Sequence, residues 1–238
     1  MNPGSPKVDP TVDVVHVTLD SESPQPGPSR RQAIIDTAAA LFDQAGYHKT
    51  SLTDVAAAVG IAKPTLYHYF TSKEEILFWI HDDFISQLIA RQERREGTGL
   101  SAMECLQAII HDLLDMMVDH RGHIRAFYDT YRELSSRWQA PIRLKRDLYF
   151  RVVVDVIQQG VQDGIFRPEA PDLMAFAVIG MCSWAYTWYS QSSSKSADDI
   201  ARLYSDILLH GLQLHDSHVD TSVELSQSQQ FYSRQRLG

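Results

Sequence analysis

Thr50-Ser-Leu-Thr-Asp-Val-Ala-Ala-Ala-Val-Gly-Ile-Ala-Lys-Pro-Thr-Leu-Tyr-His-Tyr-Phe-Thr-Ser-Lys-Glu-Glu75 is the stretch on which the reading of this chain turns. Ser51, with Asp54 three residues on, approximates a capping box, so Thr50 or Ser51 is the N-cap of a helix. Leu52, Val55, Ala56 and Val59 then recur at i, i+3, i+4 and i+7, which makes one apolar face. Ala56, Ala57 and Ala58 keep that helix slim, so another can cross close by. Gly60 stands where the chain must turn sharply. A second, shorter helix begins near Ala62, with Pro64 in its first turn, where no intrahelical donor is lost. Leu66 and Phe70 face inward at i and i+4, leaving Lys63, Thr65, Tyr67, His68 and Tyr69 outward. Two short helices about a tight turn form a helix-turn-helix, and such a motif offers its second helix to a DNA major groove.

The flanks extend this reading. Lys63 suits a phosphate or a guanine edge, Thr65 a phosphate or a thymine methyl, and Tyr67 and His68 phosphates or sugars. Ser72-Lys73-Glu74-Glu75 opens a third helix with a capping box, whose free N–H groups and Lys73 ammonium form an expected phosphate site. Upstream, Ile34, Ala38, Leu41, Phe42 and Ala45 make one helical face, ended by Gly46, to complete a three-helix core. Arg30 and Arg31 precede it, placed for a minor groove or a phosphate. The expected DNA-contact set is Arg30, Arg31, Thr50, Ser51, Lys63, Pro64, Thr65, Tyr67, His68, Tyr69 and Lys73.

The pattern Ile35-Xaa2-Ala38-Xaa2-Leu41-Phe42-Xaa3-Gly46-Tyr47-Xaa2-Thr50-Ser51-Leu52-Xaa2-Val55-Ala56-Xaa3-Gly60-Ile61-Xaa2-Pro64-Thr65-Leu66-Tyr67-His68-Tyr69-Phe70-Xaa2-Lys73-Glu74 resembles the TetR family of bacterial transcriptional regulators. The resemblance covers about residues 30–78. It implies an N-terminal DNA-binding domain followed by a divergent, all-helical ligand-binding and dimerisation domain. It also implies a bias towards repression, although the same residues serve an activator.

Composition and charge are consistent with that organisation. The 238 residues carry a net charge of −8, which argues against a protein that coats nucleic acid without specificity. Between Ser29 and Lys73, however, five basic residues face three acidic ones. A modest positive patch on an acidic body suits a site-specific regulator. Two cysteines, Cys105 and Cys182, without close spacing, suggest reduced thiols and a cytoplasmic address. No signal-peptide pattern opens the chain. The uncharged run Leu173–Tyr189 falls short of the ~20 residues a membrane-spanning helix needs.

Residues 1–28, rich in Pro, Ser and Gly, and the polar residues 216–238 read as disordered tails, despite a β-prone run at Val12–Leu19. Residues 29–75 form the expected DNA-binding domain, and 76–215 the effector-binding and dimerisation domain. The helix begun at Ser72 runs to about Arg95 and ends at Gly97-Thr-Gly99. Helices are then expected over Leu100–Val118, Gly122–Ser136, Pro141–Asp163 and Pro171–Tyr189, and from the Ser196–Asp199 cap to Leu214. The total is about nine helices in an all-α chain.

Large side chains crowd the second half and suit a pocket between bundle helices. Arg143, Arg146 and Asp147 share a face at i, i+3 and i+4. Facing inward they bind hydroxyls or a carboxylate of an effector; facing outward they make a surface ion pair. Tyr128, Tyr131 and Arg132 complete such a site, with Phe150, Trp184 and Trp188 among its apolar walls. The segment Arg151–Pro168 with Trp188-Tyr189 resembles TetR members that sense acyl-CoA thioesters. The chain departs from them at Ser190-Gln-Ser-Ser-Ser, where a basic, Gly-rich turn is expected, and a phenolic or other aromatic effector fits equally well.

The last two helices are the expected dimer surface, through Ile200, Leu203, Ile207, Leu208, Gly211 and Leu214. The resemblance implies a four-helix interface, and a two-fold dimer calls for an inverted-repeat operator. The alternative is that these residues pack within one subunit. His120 and His123 beside Asp119, and the separate His210 and His215, lack the spacing of a metal site. No Gly-rich phosphate loop, nucleophile elbow or metal motif is present, so neither cofactor nor catalysis is expected. A helical module that binds ligand or protein without DNA is the remaining alternative.

Overall fold

The computed structural model describes residues 29–213 except 120, 169 and 190–194. Both expected tails, the β-prone run in the first, Leu214, His120, His215 and the Ser190–Ser194 turn lie outside the described residues. Among those described, nine α-helices follow one another: α1 Arg30–Ala45, α2 Leu52–Val59, α3 Lys63–Tyr69, α4 Lys73–Glu93, α5 Ala102–Asp119, α6 Arg121–Asp129, α7 Ser136–Gln162, α8 Pro171–Trp184 and α9 Ala197–Leu212. The chain is all-α, and its one β-bridge among these residues joins Phe166 to Gln213.

Local signals set most of the boundaries. Ser51 accepts from the Asp54 N–H while Asp54 accepts from the Ser51 N–H, a complete capping box. Gly60 ends α2 in the left-handed region, at φ 74°. There its N–H reaches Ala57 O at 3.1 Å and the Ile61 N–H reaches Ala56 O at 2.9 Å, the paired bonds of a Schellman motif. Ser196 and Asp199 cap α9 in the same reciprocal way as Ser51 and Asp54. A further box, Ser101 with Glu104, opens α5 and went unread in the sequence.

The expected box at Ser72 is only half made. Ser72 caps the Glu75 N–H, but the Glu75 carboxylate turns back to the Thr71 N–H and hydroxyl, each at 2.7 Å.

Three helices of the bundle differ from expectation. The Gly122–Ser136 helix stops at Asp129, a 3-10 turn spans Tyr131–Glu133, and α7 starts five residues before Pro141. The break is stabilised from outside. Glu74 accepts the Ser135 N–H at 2.6 Å, Leu134 is buried, and the Gln139 amide donates to the Tyr131 and Leu134 carbonyls. Pro141 therefore sits inside a helix on its exposed side, where water can satisfy the carbonyl left without a donor. The apolar helix α8 ends at Trp184, and a 3-10 turn over Ala185–Thr187 follows.

Packing joins the first three helices to the rest. Ile34, Ile35, Ala38, Phe42, Val55, Leu66 and Phe70 form a core that continues into Ile76, Leu77 and Ile80 of α4. The opposite side of α1 lies on α6. A Cβ built on Gly122 would stand 2.7 Å from the Ala39 carbonyl carbon and oxygen, so the backbones nearly touch. Next to it, buried His123 lies 3.4 Å from Asp36 of α1 and 3.8 Å from Asp83 of α4. Gln32 bonds both carboxylates, and Arg125 pairs with Asp43 at 2.8 Å. On α4, His81 is fully buried beside the Phe127 ring, with Nε2 3.4 Å from the Thr130 hydroxyl. Burial, then the nearby Arg146 cation, pushes its pKa down to about 3.

Two outcomes follow. Gly122→Ala meets backbone rather than a yielding side chain, so thermal denaturation should show a loss of about 1–3 kcal/mol. His81 is neutral in the fold and titrates near pH 6.5 when unfolded, so its contribution is intact above that pH and is lost as pH falls below it. Between about pH 7 and 5 the chain should lose about 2 kcal/mol through this group. Denaturation of His81→Phe across the same range should show that much less acid sensitivity.

Candidate functional site

Two surfaces concentrate the expected functional residues. The first is the outer side of α3. Leu66 and Phe70 are fully buried, and this fixes the rotation of the helix. Lys63, Pro64, Tyr67, His68 and Tyr69 are consequently exposed and Thr65 is half-buried. Ser51 is exposed at the start of α2, and Arg30 at the start of α1. No acidic side chain lies on α3 itself, so the exposed Lys63 faces no carboxylate on its own helix.

Three residues of the expected set are committed to the fold instead. Thr50 is buried, its hydroxyl donating to the Gly46 carbonyl at 3.0 Å. The Lys73 ammonium donates to the carbonyls of Tyr47 and Thr50 at 2.9 and 3.1 Å and stands over the Tyr47 ring. It ties the α1–α2 turn to α4, so the phosphate site expected around it lacks its cation. The Arg31 guanidinium stacks on Trp79 at 3.9 Å and on Phe70 at 4.9 Å, turned to the protein rather than away from it. A flat aromatic face can hold a guanidinium as well as a phosphate can, and the sequence does not reveal which partner is nearer.

The second surface is a cavity of ≈ 360 Å³ between α4, α5, α6, α7 and α8. Phe84, Leu88, Leu113, Phe150 and Ile179 supply apolar wall. Tyr128, Arg146, Asp147 and Phe150 of the expected effector set line it. Arg143 and Arg132 are exposed and lie outside it, and Tyr131 stands behind the wall, with its ring 5.2 Å from the Arg146 guanidinium. Trp184 and Trp188 also lie outside, on the exterior. The face through Arg143, Arg146 and Asp147 is thus divided. Arg146 reaches inward, whereas Arg143, nearly one turn before it, is on the solvent side.

Tyr149 and Ser183 line the cavity as well and were absent from the expected set. Tyr149 follows Arg146 at i+3, a spacing that would have found it. Ser183 is a hydroxyl inside an apolar helix, and it bonds the Tyr128 hydroxyl at 2.5 Å.

Helices α8 and α9 carry apolar side chains in water: Leu173, Trp184 and, beside Phe150 at the edge of the cavity, Phe176 on the first, Leu203 and Ile207 on the second. Ile200 of the expected dimer set is buried within its own subunit, since it falls on the inward face of α9. Leu208 is half-buried against the core and Gly211 is exposed. No group of three potential ligands that could hold a metal occurs among the described residues. No helix among them is long and apolar enough to cross a membrane.

Known proteins share this fold. Residues 34–79 match the family model described as bacterial regulatory proteins, tetR family, and residues 99–212 match that of the tetracyclin repressor-like C-terminal domain. The transcriptional repressor KstR2 of Rhodococcus jostii is 29% identical over 185 residues, covering 77% of this chain and 91% of that protein. The structure of the ketosteroid transcriptional regulator KstR2 of Mycobacterium tuberculosis superposes with a TM-score of 0.73 at 27% identity, over 79% of this chain and 97% of that one. AibR in complex with isovaleryl coenzyme A and operator DNA superposes with a TM-score of 0.69 at 26% identity, over 76% of this chain and 98% of that one. A helix-turn-helix and a helical second half, each matching the corresponding family model, place this chain in the TetR family of DNA-binding bacterial transcriptional regulators.

Proposed function

We propose that this chain is a ligand-responsive repressor that binds an inverted-repeat operator as a homodimer in the cytoplasm. The observation that carries the reading is the outer side of α3, where Lys63, Tyr67, His68 and Tyr69 stand exposed on a helix anchored by Leu66 and Phe70. Lys63 and His68 meet phosphates or base edges, and Tyr67 and Tyr69 meet phosphates and sugars. Arg30 and Ser51 add contacts at the flanks. Repression is the sign favoured by the KstR2 relatives, which are repressors by name.

Dimerisation is supported by the exposed apolar side chains of α8 and α9. Leu173, Phe176, Trp184, Leu203 and Ile207 are each more than half exposed in the single chain, more large apolar surface than two solvent-facing helices usually carry. A two-fold pairing through them would set two α3 helices at a fixed separation, and so on successive major grooves.

An effector in the cavity would act on that separation. Phe84 and Ile85 of α4 and Phe127 and Tyr128 of α6 belong to the cavity wall, and both helices also contact α1. Release from DNA requires that the effector bind one dimer shape more tightly than the other.

A mobility-shift titration with the chain's own upstream DNA, followed by selection from random DNA, tests the central reading. Lys63→Ala and Tyr67→Ala should each weaken specific binding about tenfold or more while leaving the melting temperature unchanged. Failure of the wild type to select any sequence would reject the DNA reading. Leu203→Glu combined with Ile207→Glu should give a monomer by light scattering and abolish the shift. A double variant that stays dimeric would refute the assigned interface.

A further inference from the structure

Most of the cavity wall is hydrocarbon, yet it holds one half-buried cation without an ion pair and one buried hydroxyl without a hydrogen-bond partner. The first is Arg146. Its guanidinium lies against the rings of Phe127 and Tyr131, at 5.1 and 5.2 Å, and no ion pair to it occurs among the described residues. The cations around it differ in this respect. Lys145, the preceding residue, pairs with Asp82 and bonds Ser86, while Arg91 and Arg95 share Asp112. Asp147, the next residue, borders the cavity as well, on its exposed side, and makes no ion pair with Arg146.

The second is Tyr149, whose hydroxyl is buried without any hydrogen-bond partner. Burial, and then the charge of Asp112, keeps this phenol protonated, so that it remains a donor. The other hydroxyls of the wall make no such demand, because Tyr128 and Ser183 bond each other.

A guanidinium offers donors and accepts nothing. A buried donor without an acceptor costs free energy that a correctly placed ligand atom recovers. A cation resting on aromatic rings in an apolar cavity repels other cations and attracts anions, and its field is strong where water is excluded. A neutral hydrocarbon would fill the volume but leave the Tyr149 hydroxyl without an acceptor and the Arg146 charge without a counter-ion.

We propose that the effector is an amphipathic carboxylate. Its anionic group binds Arg146, its apolar body packs among Phe84, Leu88, Phe150 and Ile179, and an oxygen in that body accepts from the Tyr149 hydroxyl. At ≈ 360 Å³ the cavity suits a bicyclic or similarly sized skeleton. A carboxylate esterified as a bulky thioester has given up the charge that Arg146 would bind. This inference rests on the reading of the chain as effector-responsive and narrows the effector's chemistry.

The test uses the full chain and three matched probes in titration calorimetry: methoxynaphthoate, the corresponding methoxynaphthalenemethanol, and the coenzyme A thioester of the acid. The acid should bind about tenfold or more tightly than the alcohol. Arg146→Met should erase that preference and Arg146→Lys should keep most of it. Tyr149→Phe should weaken methoxynaphthoate but leave naphthoate, which lacks the ether oxygen, unchanged. Melting temperature and operator binding of each variant confirm that it is folded.

The proposal is overturned if the alcohol binds as well as the acid, if only the thioester binds, or if Arg146→Met retains the preference. It is equally overturned if protein that shifts operator DNA binds none of the three, and the regulator reading then stands without it.

Discussion

The contact on which the architecture depends is the near-touching of α1 and α6 at Ala39 and Gly122. Without a side chain at Gly122, two backbones approach to a distance that no other residue permits. That closeness brings His123 between Asp36 and Asp83 and lets Arg125 reach Asp43, so polar groups from α1, α4 and α6 meet in one network. Side chains on α1 therefore cannot shift relative to α6 without separating these partly buried polar groups. Breaking such a group by removing one partner is costly, whereas moving it as a unit is not. The helix-turn-helix is consequently held to the bundle as a rigid body through this face of α1, and its core continues into α4 on the other.

Rigid attachment has a functional consequence. Helix α6 is only nine residues long, yet its first half holds α1 and its second half supplies Phe127 and Tyr128 to the cavity. Helix α4 is shared in the same way, with Ile76 and Leu77 in the core next to α1–α3 and Phe84, Ile85 and Leu88 at the cavity. A ligand that displaces either wall by a fraction of an ångström acts on a packed, weakly compressible interior. The same two helices, α4 and α6, thus border the cavity and pack on α1 of the helix-turn-helix domain.

Much of this was legible in the sequence, and the exceptions have a common cause. Capping residues act within three or four positions, so Ser51, Gly60 and Ser196 were readable from their neighbours alone. The inward pair Leu66 and Phe70 likewise fixed which residues of α3 would be exposed. Arg31, Thr50 and Lys73 stand at helix starts, where a sequence reading turns them to DNA, but Arg31 and Lys73 have partners far along the chain, Trp79 and Tyr47, and Thr50 bonds back to Gly46 within its own turn. Pro141 reads as a helix start because proline is favoured in the first helical turn. What moved the start to Ser136 was a bond from Ser135 to Glu74, sixty-one residues away, and no local pattern encodes that.

The cavity shows the same division between local pattern and tertiary outcome, and it explains why the Arg143–Arg146–Asp147 face divides. Helical spacing brings these residues to one side of α7, but a face that borders both solvent and a cavity has an edge. Arg146 lies on the inner side of that edge because Phe127 and Tyr131, from α6 and the turn after it, offer rings on which the guanidinium can rest. Those rings come from the segment whose helix breaks at Asp129, and the break itself depends on Glu74 and buried Leu134. The orientation of one cavity residue thus traces back to the start of α4, where the DNA-binding helices end. A carboxylate of α4, a buried leucine and two aromatic rings together determine that Arg146, and not Arg143, is the cation on the cavity wall.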